Sequence, residues 1–159
     1  DHRDLHLSLR RQRQMCIRDR PGHECQHNLN YWQYGDYLAL GAGAHGKISH
    51  AAPLCIRRYE KHRHPNRYMQ HPTEHASSHE VTPPHRLFEY FLGVTRLRQA
   101  ISLPEFKAST YLSDADFYSA IKPALYAGYI EQCDNHTYRV TTHGYLFLND
   151  LQQLFLPGH

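Results

Sequence analysis

The stretch His27-Asn28-Leu29-Asn30-Tyr31-Trp32 sets an imidazole four and five positions ahead of two large aromatics. A neutral imidazole is the commonest protein ligand for transition metals, and it can also hold haem iron axially. Aromatics at these offsets could pack against a flat macrocycle. Cys25, two positions before His27, is another possible soft ligand. The same residues also fit a hydrogen-bonded histidine beside a core tryptophan, and spacing leaves both readings open.

A second stretch with chemical potential is Gly41-Ala42-Gly43-Ala44-His45-Gly46, followed by Lys47 and Ile48. Alternating glycines let a backbone approach a ligand closely or take positive φ angles. A dinucleotide fingerprint requires a third glycine that is missing at its place here. A Walker loop requires Ser or Thr after the Gly-Lys pair, and Ile48 stands there instead. The run is therefore read as pocket lining or as a structural turn. The histidines offer His62-x-His64 and the series His71, His75, His79. If helical, that series would share a face able to bind zinc or nickel, but the intervening prolines favour solvated imidazoles. The four cysteines, Cys16, Cys25, Cys55 and Cys133, form neither CxxC nor CxxxCxxC and match no zinc or iron–sulfur spacing. They are expected to be reduced thiols.

The elements that must position these groups are legible from residue 21 onward. Asn28 can cap a short helix over about residues 29 to 34, closed by Gly35. Tyr37 to Leu40 suits a buried strand running into the glycine-rich turn. Lys47–His50 and Leu54–Tyr59 read as a hairpin. Residues 62–84 are rich in His and Pro and are predicted to be a connection, with one turn of helix near His75. Beyond Pro84, Leu87, Phe88, Phe91, Leu92 and Thr95 recur at helical spacing. A short helix over LPEFKAST follows. A third is capped by Ser113, with Asp116 at the capping-box position and a flaw at Pro123. Ile130–Cys133 and Tyr138–Val140 predict a second hairpin. A last helix is capped by Thr142 and carries Leu146, Phe147, Leu151, Leu154 and Phe155. Residues 85–159 are thus expected to form a winged-helix-like module, and the fold class is α+β.

Charge narrows the partners. The chain has 18 Lys and Arg against 15 Asp and Glu, but residues 1–20 alone contribute six Arg and three Asp. The other 139 residues balance twelve basic against twelve acidic groups, which leaves no footprint for a polyanion. The helix expected to read DNA offers Asp114, Asp116 and Ser119 with a single Lys122, so nucleic acid is not an expected partner. Residues 1–20 lack apolar periodicity and are expected to be a disordered or non-native tail; the string MCIRDR resembles translated sequencing-adapter read-through. No apolar run approaches the roughly 18–20 residues of a membrane span, and the basic start lacks a secretory core, so a cytoplasmic location is expected.

From Pro21, the strings PGHECQHNLNYWQYGDYLALGAGAHGKI, KHRHPNRYMQ and YLFLNDLQQLF resemble the C-terminal part of the HemW-like radical-SAM haem chaperones. These are relatives of oxygen-independent coproporphyrinogen III oxidase. The resemblance implies a radical-SAM (β/α) barrel followed by a small winged-helix-like domain. Residues 21–61 would be a barrel-edge fragment with its hairpin, 62–84 a linker, and 85–159 the terminal domain. It implies haem as cargo, with His27, Tyr31 and Trp32 as the candidate haem site. Gly41, Ala42, Gly43, Ala44 and His45 would lie near the S-adenosylmethionine and substrate pocket. A [4Fe-4S] cluster belongs to the family, but its CxxxCxxC is absent from this sequence, so the chain is not expected to perform radical chemistry alone. Haem-accepting proteins are the implied partners, with peripheral membrane association through them. A fragment of a coproporphyrinogen III oxidase, or a stand-alone winged-helix interaction module, remains the alternative.

Overall fold

The computed structural model describes residues 26–158, without the side chain of His27. The expectations for residues 1–20 and for Cys25 lie outside the described residues.

The first part opens with helix α1 (Gln26–Trp32). It starts before Asn28, which therefore does not cap it. The left-handed exit is taken by Tyr34 at φ 62° rather than by Gly35, whose N–H donates to the Asn30 carbonyl at 2.8 Å. A bulky residue adopts this conformation only where its surroundings over-determine it. Here the Tyr34 ring is buried, edge-on to Tyr90 and capped by the Lys47 ammonium 3.9 Å from its centroid.

The predicted hairpin is present as β1 (His45–Ala51) and β2 (Leu54–Glu60), in register from His45 opposite Glu60 to Ala51 opposite Leu54. The expected strand at Tyr37–Leu40 is reduced to one bridge, Tyr37 with Lys47, closed by two bonds of 3.0 Å. Ala39 is buried, but Leu38 and Leu40 are 70% and 83% exposed, so this run is not a buried strand.

Residues 62–84 hold more structure than expected. Helix α2 (Pro65–Gln70) places Pro65 in its first turn, where a missing N–H costs nothing. The helical turn expected near His75 lies here instead. Strand β3 (Ser77–Glu80) completes the order β1-β2-β3, from Arg57 opposite Glu80 to Glu60 opposite Ser77. All four β3 residues are exposed, so ladder hydrogen bonds hold it, and an apolar pattern cannot reveal it.

The second part contains α3 (Pro83–Val94), β4 (Ile101–Ser102), α4 (Leu103–Thr110), α5 (Asp114–Tyr126), β5 (Ile130–Gln132), β6 (Thr137–Val140), α6 (Thr142–Leu146) and α7 (Leu148–Gln153). Its sheet runs β4-β6-β5, all antiparallel. The capping box at Ser113 and Asp116 forms as predicted. Pro123 does not break α5; standing one turn from the end, it forfeits little of the hydrogen-bond ladder. The last helix is two: Thr141, not Thr142, caps α6, and Phe147 separates α6 from α7. Leu146 and Phe147 are exposed, while Leu151 and Phe155 are buried. The core is aromatic, with Phe91 stacked on Phe155 at 4.2 Å and 5° and tilted against Phe106 and Phe117. Among the described residues no helix is long and apolar enough to cross a membrane.

Helix α3 joins the two parts, and its burial departs from the sequence reading. Arg86, Tyr90, Phe91 and Val94 face the core, while Leu87, Phe88 and Leu92 are only half-buried. Gly93 lets α1 lie against it: a Cβ there would stand 2.4 Å from the Trp32 carbonyl oxygen. Gly93→Ala is expected to lower the unfolding free energy by about 1–3 kcal/mol through this overpacking. Urea unfolding followed by the fluorescence of Trp32, the chain's single tryptophan, measures it; an unchanged midpoint would mean that α1 is not seated on Gly93.

Candidate functional site

The seating of α1 on α3 opens a cleft of about 360 Å³, within the size range of small-molecule sites. One wall is α1 and the turn after it, with Tyr31, Trp32, Tyr34 and Gly35. The opposite wall is the half-buried face of α3, with Phe88, Glu89, Leu92 and Gly93, and exposed His85 at its edge. These residues recur every three or four positions and so share one side of the helix. Tyr37, Lys47 and Arg58 close the cleft from the first sheet, and Arg96 stands at its rim.

The walls are aromatic and the base is charged. Tyr31 meets Tyr37 edge to face at 4.3 Å. Arg58 holds Glu89 through two bonds of 2.9 Å and also donates to the Tyr37 hydroxyl at 2.7 Å. This bidentate pair ties β2 to α3 across the cleft. Lys47 is 1% exposed and donates to Asp36 Oδ1 at 3.1 Å. Burial lowers its ammonium below the ordinary lysine value, against the pull of Asp36. For Asp36 partial burial acts upward, but hydrogen bonds from the Ser49 N–H and hydroxyl and from Lys47 outweigh it and hold the carboxyl below its usual range. Burial, reinforced by the Glu89 carboxylate, raises the Tyr34 phenol far above its ordinary value. Its oxygen is buried without a hydrogen-bond partner within bonding distance and angle. The neighbouring Glu89 carboxylate acts on the phenol without a well-formed bond, so the hydroxyl could also turn to a polar group of a ligand.

At the mouth, the Thr82 hydroxyl and His85 Nδ1 are 2.7 Å apart. Thr82 precedes α3 as its N-cap residue, yet its side chain caps no helix N–H, so the hydroxyl is at the disposal of the imidazole.

The sequence candidates are thus divided. Tyr31 and Trp32 line the cleft. His27 stands on α1 one turn before Tyr31, and its side chain lies outside the described ones. Gly41 to His45 do not line this cleft. They form the turn into β1, where Gly41 and Gly43 take φ of 107° and 70°. The Gly41 N–H donates to the Tyr68 hydroxyl at 3.1 Å, that of Gly43 to the His62 carbonyl, and that of Ala44 to the Gly41 carbonyl. Three amides of the turn are therefore already engaged; Ala42 is exposed, and His45 Nε2 lies 3.9 Å from Glu60. His71, His75 and His79 do not share a helical face. Glu74 lies between His62 and His71 at 3.7 and 3.3 Å, and His75 packs on the Tyr59 ring. No group of three His, Cys, Asp or Glu among the described residues could hold a metal. Sequence reasoning missed Tyr34, Tyr37, Arg58, His85 and Glu89. Of these only His85 carried a signal, in a stretch dominated by proline.

No protein-family model matches the chain. Over 137 residues, 86% of its length, the chain is 39% identical to the heme chaperone HemW of Escherichia coli. It is 41% identical over 137 residues to the heme chaperone HemW of Haemophilus influenzae. It spans about a third of the length of these curated relatives, 35% and 34% respectively. Among solved structures, coproporphyrinogen III oxidase (HemN) from Escherichia coli, a radical SAM enzyme, is similar over 77% of this chain and 29% of its own, with a TM-score of 0.50 at 12% identity. That likeness concerns the fold, mixed α and β.

The Lys47–Asp36 contact generates a prediction about the base of the cleft. Asp36→Ala is expected to cost about 1–3 kcal/mol, less than breaking a fully buried pair because Asp36 is half-exposed. Adding Lys47→Met should recover most of that loss, measured by urea unfolding as a double-mutant cycle. Because Asp36 is held below its ordinary value, its contribution is present above about pH 3.9 and is lost on further acidification. Additive costs in the cycle would mean that the two charges are not coupled.

Proposed function

Because the chain belongs to the HemW family over the stretch it shares with those relatives, we propose that it is the C-terminal part of a haem chaperone. Haem is its cargo, and the cleft between α1 and α3 is where this part of the protein meets it. The observation that carries the reading is the aromatic cleft itself, in which Tyr31 and Trp32 stand opposite Phe88 with a buried, unpaired Tyr34 hydroxyl at the base. A flat macrocycle buries apolar area between such walls. Its carboxylates would be oriented by the Tyr34 hydroxyl and by Lys47 and Arg58, competing with Asp36 and Glu89. His27, one turn before Tyr31, is the proposed iron ligand on α1. Release to an acceptor protein is helped by the openness of the cleft, which leaves Tyr31 38% exposed.

In this reading residues 21–61 complete the edge of a radical-SAM barrel, 62–84 lead out of it, and 85–159 form the winged-helix-like domain. The helices α3, α4 and α5 interleaved with the β4-β6-β5 sheet support that last assignment. S-adenosylmethionine would approach the turn Gly41, Ala42, Gly43, Ala44, His45 at exposed Ala42. A [4Fe-4S] cluster does not fit the residues described here, whose free thiols are Cys55 and Cys133. The acidic surface of α5, where Asp114 engages Lys107 at 2.7 Å, supports no nucleic-acid partner.

A second reading, part of an oxygen-independent coproporphyrinogen III oxidase, is favoured by the fold likeness to HemN. A porphyrinogen would use the same aromatic walls without an iron ligand. Titration of the 159-residue chain with haem, followed at the Soret band, separates the two. The chaperone reading expects saturable binding that His27→Ala weakens by at least the roughly tenfold typical of groups supporting a metal. No saturable binding by the unsubstituted chain would overturn it, and an unchanged titration in His27→Ala would remove His27 from the site.

A further inference from the structure

Of the cleft's lining residues, His85 is the one histidine. The geometry points to His85 as an axial ligand for the iron of a haem held in this cleft, with Thr82 as its positioning residue. The inference rests on the haem reading above and adds to it a ligand from α3.

Three features support it. First, His85 shares one side of α3 with Phe88, Glu89 and Leu92, the side turned to Tyr31 and Trp32. An imidazole there stands beside the apolar faces that would grip a macrocycle. Second, the contact of 2.7 Å between Thr82 and His85 involves Nδ1, leaving Nε2 as the open nitrogen. An iron-bound imidazole donates its other N–H to an oxygen, which fixes its tautomer and ring orientation. With iron on Nε2, Nδ1–H donates to Thr82 Oγ1, which is able to accept because it caps no backbone N–H. Third, the two residues are fixed by the start of α3. Pro83 and Pro84 set its first turn and place Thr82 and His85 three positions apart across it.

Three other histidines near the first sheet stand apart from the cleft. His71 Nδ1 lies 3.3 Å from Glu74 and His75 on the Tyr59 ring, while the buried His62 Nε2 stands 3.7 Å from Glu74, beyond hydrogen-bond distance. None of them lines the cleft. His85 also lies outside the His27-to-Trp32 stretch, so the two candidate ligands can be separated experimentally.

The test is haem titration of the 159-residue chain and its variants, read by Soret position, ferric spin state and affinity. The unsubstituted chain is expected to show imidazole-ligated, low-spin haem. His85→Ala should shift the Soret band and raise the high-spin fraction, and free imidazole should restore the original spectrum. Thr82→Val should weaken binding by about tenfold, the cost of losing an outer partner of a metal ligand. A spectrum unchanged in His85→Ala, or a change that imidazole does not reverse, would overturn the assignment. If His85→Ala fails to fold, as judged by circular dichroism, Thr82→Val decides: unchanged affinity and spin state overturn it. A chain without any Soret response would overturn the haem reading itself, whereas loss of only the His85 signature leaves that reading standing.

Discussion

The arrangement of this protein depends on one close contact, the Trp32 carbonyl resting against the Cα of Gly93. Any side chain at position 93 would push α1 away from α3 and separate the cleft's two aromatic walls. Everything around the contact serves to hold it. Tyr34 accepts a left-handed backbone to turn the chain immediately after α1, and its ring is fixed between Tyr90 and the Lys47 ammonium. Arg58 reaches from β2 to Glu89 on α3 and keeps the first sheet in register with the helix. The first part contributes little core of its own, and these few contacts make it continuous with the second.

Helix α3 therefore serves two surroundings at once. Tyr90, Phe91 and Val94 enter the aromatic core with Phe106, Phe117 and Phe155, and this side supplies the hydrophobic stabilisation. The opposite side, with His85, Phe88, Glu89 and Leu92, is left half-covered. A half-buried apolar face of this kind is what a binding site needs: area to be covered by a ligand, on an element that the core has already made rigid. The base of the cleft is charged, with Lys47 and Arg58 each paired to a carboxylate, Asp36 and Glu89 respectively.

How far the sequence discloses this is instructive. The second part was legible because its signals are local: the Ser113–Asp116 box, the helical period of α3 and the hairpin around Asp134 to His136 all act within a few residues. The hairpin β1–β2 was legible for the same reason. Strand β3 was not, because four exposed residues carry no apolar pattern and are held by pairing with β2 and by the Glu80–Arg86 ion pair. Leu38 and Leu40 suggested a buried strand, but a run of apolar residues says nothing about whether a partner covers it. The lining of the candidate cleft was half legible. Tyr31 and Trp32 stand close in sequence, whereas Glu89 meets Arg58 across 31 positions and His85 sits behind two prolines that point to a loop and in fact begin a helix.

A haem entering between Tyr31, Trp32 and Phe88, as proposed, would be reported directly by the single tryptophan. Haem bound in this cleft would lie against the indole and quench its fluorescence by energy transfer. In a titration of the chain, Trp32 emission is expected to fall in step with the rise of the Soret band and to level off at equimolar haem. A Soret band that saturates while Trp32 emission remains undiminished would place the haem elsewhere and contradict the account.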